Sequence, residues 1–155
     1  MKKKVGLMQR NHVKLISMDT IPIEAVKWLL YPFIPLGKIT ILQGDPGEGK
    51  TTLALQIIAA LTTGKPVREG APPMEPVNVI YQTAEDGLSD TIKPRLVAAG
   101  ADCARVMVID DSDKVLTLDD DRLEQAIEQT DARLVVLDPI QGYIGASVDL
   151  SLIHI

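Results

Sequence analysis

The sequence predicts an α/β fold in which a mainly parallel sheet is covered by helices on both faces. Three observations predict it. From about residue 38 onward, strand-like and helix-like segments alternate. The strand-like runs are mostly apolar, which suits strands buried on two sides rather than one. A glycine-rich octapeptide, Gly44 to Thr51, stands where the first strand would pass into the first helix.

The elements follow in order. Ile39-Thr40-Ile41-Leu42-Gln43 is a short β-branched run that stops at Gly44 and reads as the first strand. Thr51 to Leu61 is apolar with good helix formers, and Gly64 with Pro66 ends it. Lys65 to Pro76 holds four of the ten prolines and reads as a surface loop. Val77 to Thr83 is the second strand, Leu88 to Ala99 a helix stopped by Gly100, and Val106 to Ile109 the third strand. Asp119 to Thr130 reads as a helix with acids in its first turn, where the helix dipole favours them. Leu134 to Leu137 is a fourth strand, apolar on both faces and ending at Asp138. Upstream, Ile23 to Leu30 reads as a short helix, and Trp28 within it as a core residue in preference to a cover over the nucleotide base.

A chain of 155 residues has the length of one domain and can bury a sizeable core. Its 46% hydrophobic and 24% charged content fits a globular protein. No apolar run nears the roughly 18 residues of a membrane span. Met1-Lys2-Lys3-Lys4 resembles the start of a signal peptide, but Gln9, Arg10, Asn11 and His12 interrupt any apolar stretch. The single cysteine, Cys103, has no internal disulfide partner and reads as a small buried hydrophobe; a cytoplasmic location is expected. The net charge of −5, with no basic block beyond the first residues, offers no obvious nucleic-acid surface.

In an open parallel sheet, ligands bind beyond the carboxyl ends of the strands. That rule selects Gly44 to Thr51, Glu85-Asp86 and Asp138-Pro139. The first of these, Gly44-Asp45-Pro46-Gly47-Glu48-Gly49-Lys50-Thr51, matches G-x-x-x-x-G-K-[ST] at every fixed position. Average residue usage gives a chance match in roughly one of a few hundred chains this long, and the flanking strand and helix lower that further. The glycines let backbone N–H groups turn inward around phosphate oxygens, and the helix N-terminus faces the same anion. The reading therefore assigns nucleotide phosphate binding to Gly44, Asp45, Pro46, Gly47, Glu48, Gly49, Lys50, Thr51 and Thr52. Lys50 brings a compact cation to the outer phosphates, and the Thr51 hydroxyl joins a Mg2+ shell.

Magnesium keeps several waters, so one hydroxyl and one carboxylate suffice as protein contacts. Asp138, at the end of an apolar strand, is read as the carboxylate, in preference to a turn cap. Pro139 follows it, so no acid stands beside it to activate water. Glu85 is read as the base that does so. The competing reading leaves Glu85 solvated and has Asp86 cap the next helix. Gln141 is open between a γ-phosphate sensor and a loop amide, and Arg95 between ordering the Glu85 loop and a surface ion pair.

Several stretches together resemble the RecA-type ATPases, specifically AAA-family ATPases similar to plasmid RepA hexameric helicases. They are Trp28 through Thr51, with Pro35-Leu36-Gly37-Lys38 entering the first strand; Thr83-Ala84-Glu85-Asp86; Lys93-Pro94-Arg95-Leu96 to Ala99-Gly100-Ala101-Asp102; and Asp138-Pro139-Ile140-Gln141. The resemblance implies a three-layer α/β/α P-loop NTPase, with residues 1–22 as an N-terminal segment and 23–155 as a partial RecA-like domain. It implies ATP and Mg2+ as ligands, Lys50 and Glu85 as catalytic residues, and Thr51 and Asp138 as metal contacts. It further implies a homo-oligomeric ring, such as a hexamer, acting on single-stranded DNA. In that family the strand after this Asp inserts between the Asp strand and the phosphate-loop strand. Only Pro139 to Ile155 follow Asp138, so the chain reads as the front of a larger protein whose sheet has a gap there. The competing expectations are an ATP-driven switch of the same fold without nucleic acid, a small-molecule kinase, and a fragment that binds without hydrolysing.

Overall fold

The computed structural model describes residues 13–67, 70 and 72–145. Met1 to Lys4, Gln9 to His12 and Ser151 to Ile155, all weighed above, lie outside the described residues. The chain opens with a short antiparallel hairpin of β1 (Trp28–Leu30) and β2 (Ile34–Pro35). It continues through α1 (Lys50–Thr63), β3 (Asn78–Thr83), α2 (Lys93–Ala98), β4 (Val106–Met107), α3 (Asp121–Thr130) and β5 (Ala132–Asp138). The last three strands form one parallel sheet in the order β4-β3-β5. The α/β class and the parallel sheet expected from the alternation are both present.

Alternate residues of a strand face opposite sides of a sheet, and that rule sorts the layers here. Val79 and Tyr81 of β3, with Leu134 and Val136 of β5, pack against Leu55 and Ile58 of α1 and against Ile92 and Leu96 at α2. Asn78, of the other parity, donates from its amide to the Thr130 carbonyl at the end of α3 (2.6 Å). Helices α1 and α2 therefore cover one face and α3 the other. Cys103 packs at the margin of the first cluster, half-buried.

α1 ends as read, at Gly64 in the left-handed region (φ 71°). A side chain there would also collide with the Met74 carbonyl oxygen, since Met74 lies against the helix end with its N–H donating to the Gly64 carbonyl. α2 is entered through a π-helical turn, Leu88–Ile92, in which the Ile92 N–H reaches the Gly87 carbonyl five residues back (3.0 Å). Asp120 caps α3, its carboxylate accepting from the Arg122 N–H at 3.0 Å.

Four expectations are corrected. Ile23 to Leu30 is not a helix: Trp28–Leu30 pairs with Ile34–Pro35 across a turn that contains Pro32. An eight-residue apolar run does not decide between helix and strand, and a proline just beyond it favours the turn. Trp28 is not core; it stays partly exposed and packs edge-on against Tyr31. Ile39 to Gln43 forms no strand with any described residue, and Ile39 and Ile41 stand 85% and 74% exposed. The physical reason is that a parallel strand takes its hydrogen bonds from neighbours, and none lies beside this segment among the described residues. Finally, the third strand stops at Met107 rather than Ile109. Beyond it, the buried Gln82 amide takes the place of a ladder, accepting from the Ile109 N–H (2.6 Å) and donating to its carbonyl (3.2 Å).

Candidate functional site

The site is built at the carboxyl ends of β3 and β5 and at the start of α1. The octapeptide Gly44 to Thr51 turns into α1 with Gly47 and Gly49 in the left-handed region (φ 84° and 82°), a backbone that side-chain-bearing residues rarely adopt. Its lysine closes the turn: Lys50 Nζ donates to the carbonyls of Gly44 (2.8 Å) and Asp45 (2.7 Å). Glu48 folds back and accepts from the Asp45 N–H at 2.8 Å. No residue of the first turn of α1 is itself acidic.

Asp138 is the point where distant parts of the chain meet. Thr51 Oγ1, 87 residues away, donates to Asp138 Oδ2 at 2.8 Å. The two side chains read from sequence as the metal pair are thus in direct contact. A third group on the same oxygen went unread: the Tyr81 hydroxyl donates to Asp138 Oδ2 at 3.0 Å. Burial first, and then the adjacent Asp138, push the Tyr81 hydroxyl well above the ordinary tyrosine value, so it stays a donor. The signal available in the sequence was positional. Tyr81 pairs with Val136, and a residue in register with 136 shares its face with 138.

Glu85 lies next to this contact along the backbone. Thr83, the last residue of β3, pairs with Asp138, and the Ala84 N–H donates to the Asp138 carbonyl (3.2 Å). Glu85 then leaves the sheet edge with its side chain exposed. The Thr83 hydroxyl shapes the turn, accepting from the N–H groups of Glu85 (3.4 Å) and Asp86 (3.0 Å). Asp86 does not cap the next helix: Gly87 occupies that position, and Asp86 faces Arg95 at 3.9 Å. The acid that Arg95 faces belongs to the Glu85 turn, so this contact is compatible with both roles open for Arg95.

The turn after Asp138, Ile140–Tyr143, packs closely on the same segment. A methyl group added to Gly142 would run into the Ala84 side chain at 2.5 Å. Gln141 on that turn is exposed and makes no side-chain hydrogen bond among the described residues. Tyr143 is buried with its hydroxyl unpartnered among the described residues, pushed up to about 12 by burial and by the nearby Asp111 and Asp138.

These residues fit a magnesium nucleotide. No group of three or more His, Cys, Asp or Glu gathers among the described residues, so there is no all-protein metal cage. A single hydroxyl–carboxylate pair beside an anion-binding turn is what Mg2+ uses when water and phosphate supply its other ligands. Among the described residues, no helix is long and apolar enough to cross a membrane.

The chain is 31% identical over 105 residues to the DNA repair protein RadA of Halalkalibacterium halodurans, an alignment covering 68% of this chain. The chain spans only 19% of that relative's length. No solved structure matches. The family described as AAA domain matches residues 7–151. With that match running over nearly the whole sequence, the chain belongs to the AAA domain family, and its parallel sheet and helices are those of a RecA-like P-loop fold.

Proposed function

We propose that the chain binds ATP with Mg2+ and that its parent protein hydrolyses it, as the motor core of a RepA-type hexameric helicase acting on single-stranded DNA. The observation that carries the nucleotide reading is the Thr51–Asp138 contact at 2.8 Å beside a turn with Gly47 and Gly49 in the left-handed region. When bound, Mg2+ offsets phosphate charge that builds up during transfer to water. The protein side of the reaction falls to a few groups. The 44–52 turn holds the phosphates through its N–H groups and Lys50. Asp138 and Thr51 orient the metal shell. Glu85, whose carboxylate makes no hydrogen bond or ion pair among the described residues, accepts the proton of the attacking water.

The DNA part of the proposal rests on resemblance. The similarity to RepA-type helicases and the DNA-repair name of the RadA relative favour a DNA substrate. The second reading is an ATP-driven switch or assembly protein without nucleic acid, favoured by the net charge of −5 and by a sequence with no basic block beyond its first four residues. Phosphate release by the parent protein with and without single-stranded DNA separates the two. Stimulation of several-fold or more supports the motor, and equal rates support the switch. Glu85→Gln in the same assay should lower the rate by about 10²-fold or more while leaving nucleotide affinity intact. An unchanged rate would remove Glu85 from the mechanism.

A further inference from the structure

Tyr81 is the residue near the site whose chemistry the reading above leaves unused. Its ring is fully buried among Leu55, Ile58, Val79, Ile92 and Leu96, and a phenylalanine would fill that space equally well. The hydroxyl is what needs explaining. A buried phenol must find an acceptor, and this one finds the carboxylate that the Thr51 hydroxyl also reaches. Two donors, at 2.8 and 3.0 Å, therefore converge on Asp138 Oδ2 from two different elements, α1 and β3. No hydrogen bond from the described residues falls on Oδ1.

That asymmetry has a consequence for the carboxylate plane. Rotation about the terminal torsion of Asp is soft, so one donor leaves it free to swing. A second donor, held by a ring locked in the core, fixes which oxygen faces the protein and which faces outward. We propose that Tyr81 is a positioning residue for the metal-supporting carboxylate, saturating Oδ2 so that Oδ1 is presented to the water shell of a divalent cation. The proposal rests on the reading of Thr51 and Asp138 as the metal pair. Groups that orient a metal-supporting ligand in this way typically change metal affinity 10- to 100-fold when removed.

The test is the gain in nucleotide affinity that Mg2+ brings, measured on the full chain with a fluorescent ATP analogue in the presence and absence of the ion. Tyr81→Phe should cut that gain by about 10-fold while leaving metal-free affinity within about twofold. Asp138→Asn and the double variant are run beside it. If Asp138→Asn loses the gain and Tyr81→Phe adds nothing further in that background, the phenol acts through the carboxylate. If Asp138→Asn loses the gain but Tyr81→Phe keeps it in full, the hydroxyl has no positioning role and the proposal falls while the metal reading stands. Should Asp138→Asn itself keep the gain, the metal reading fails and takes the proposal with it. A purely structural role for the hydroxyl would lower the melting temperature of Tyr81→Phe without touching the Mg2+ gain, and that result also overturns the proposal.

Discussion

Lys50→Ala should separate binding from folding. Lys50 begins α1, and its ammonium spans the start of the turn to the carbonyls of Gly44 and Asp45 at 2.8 and 2.7 Å. Both hydrogen bonds are exposed, so water replaces them when the side chain is cut back. Alanine is also a better helix former. The stability change should stay within about 1 kcal/mol. Binding is another matter. An ammonium about 4 Å from a phosphoryl charge, at an effective dielectric near 20, gains about 4 kcal/mol per unit charge before desolvation. Charge-assisted hydrogen bonds contribute on the order of 1.5 to 3 kcal/mol net. Taking about 3 to 4 kcal/mol as the loss, Kd for the magnesium nucleotide should rise roughly 10²- to 10³-fold. Titration with a fluorescent ATP analogue reads the affinity, and urea denaturation of the same sample reads the fold. A folded variant that binds within about threefold of the parent would refute the reasoning, because the turn would then hold phosphate without its lysine.

Two further predictions concern the scaffold. Gln82→Leu removes the amide that satisfies both the N–H and the carbonyl of Ile109, and should cost about 2 to 4 kcal/mol, read as a lower urea midpoint; an unchanged midpoint would mean water serves Ile109 equally well. Asp120 is held well below the usual carboxylate range by hydrogen bonds from the Arg122 side chain and backbone and from Lys114. A depressed folded-state value gives stability that is present above the ordinary carboxylate value of about 3.9 and lost as pH falls below it. The melting-temperature difference between the parent and Asp120→Asn should therefore be flat above about pH 5 and shrink below about pH 4. The same difference at pH 3 and pH 7 would show that the ion pairs are not its source.

What could be read from sequence, and what could not, divides along a physical line. The 44–51 turn was legible because its chemistry is local: eight consecutive residues carry the bend, the cation and the hydroxyl, and the turn forms with Gly47 and Gly49 at positive φ. The strand ending at Asp138 was legible because a strand with helices over both faces keeps an unbroken apolar run, here Leu134 to Leu137, all half-buried. Failures came wherever the answer depended on a neighbour. Ile39 to Gln43 has strand composition, yet composition supplies no partner for its N–H and carbonyl groups. Ile109 continues a β-branched run, but Gln82, 27 residues earlier, takes its backbone groups and ends the strand two residues short. Tyr81 looks like any core aromatic until the β3–β5 register puts it opposite Val136, two residues before Asp138. Register is a property of two strands and is written in neither alone. The three hydroxyl and carboxyl groups that meet at Asp138 come from α1, β3 and β5, so the site exists only once those pairings are made. A turn that holds phosphate can be specified by eight residues, whereas a carboxylate held in one orientation needs the packed sheet beneath it.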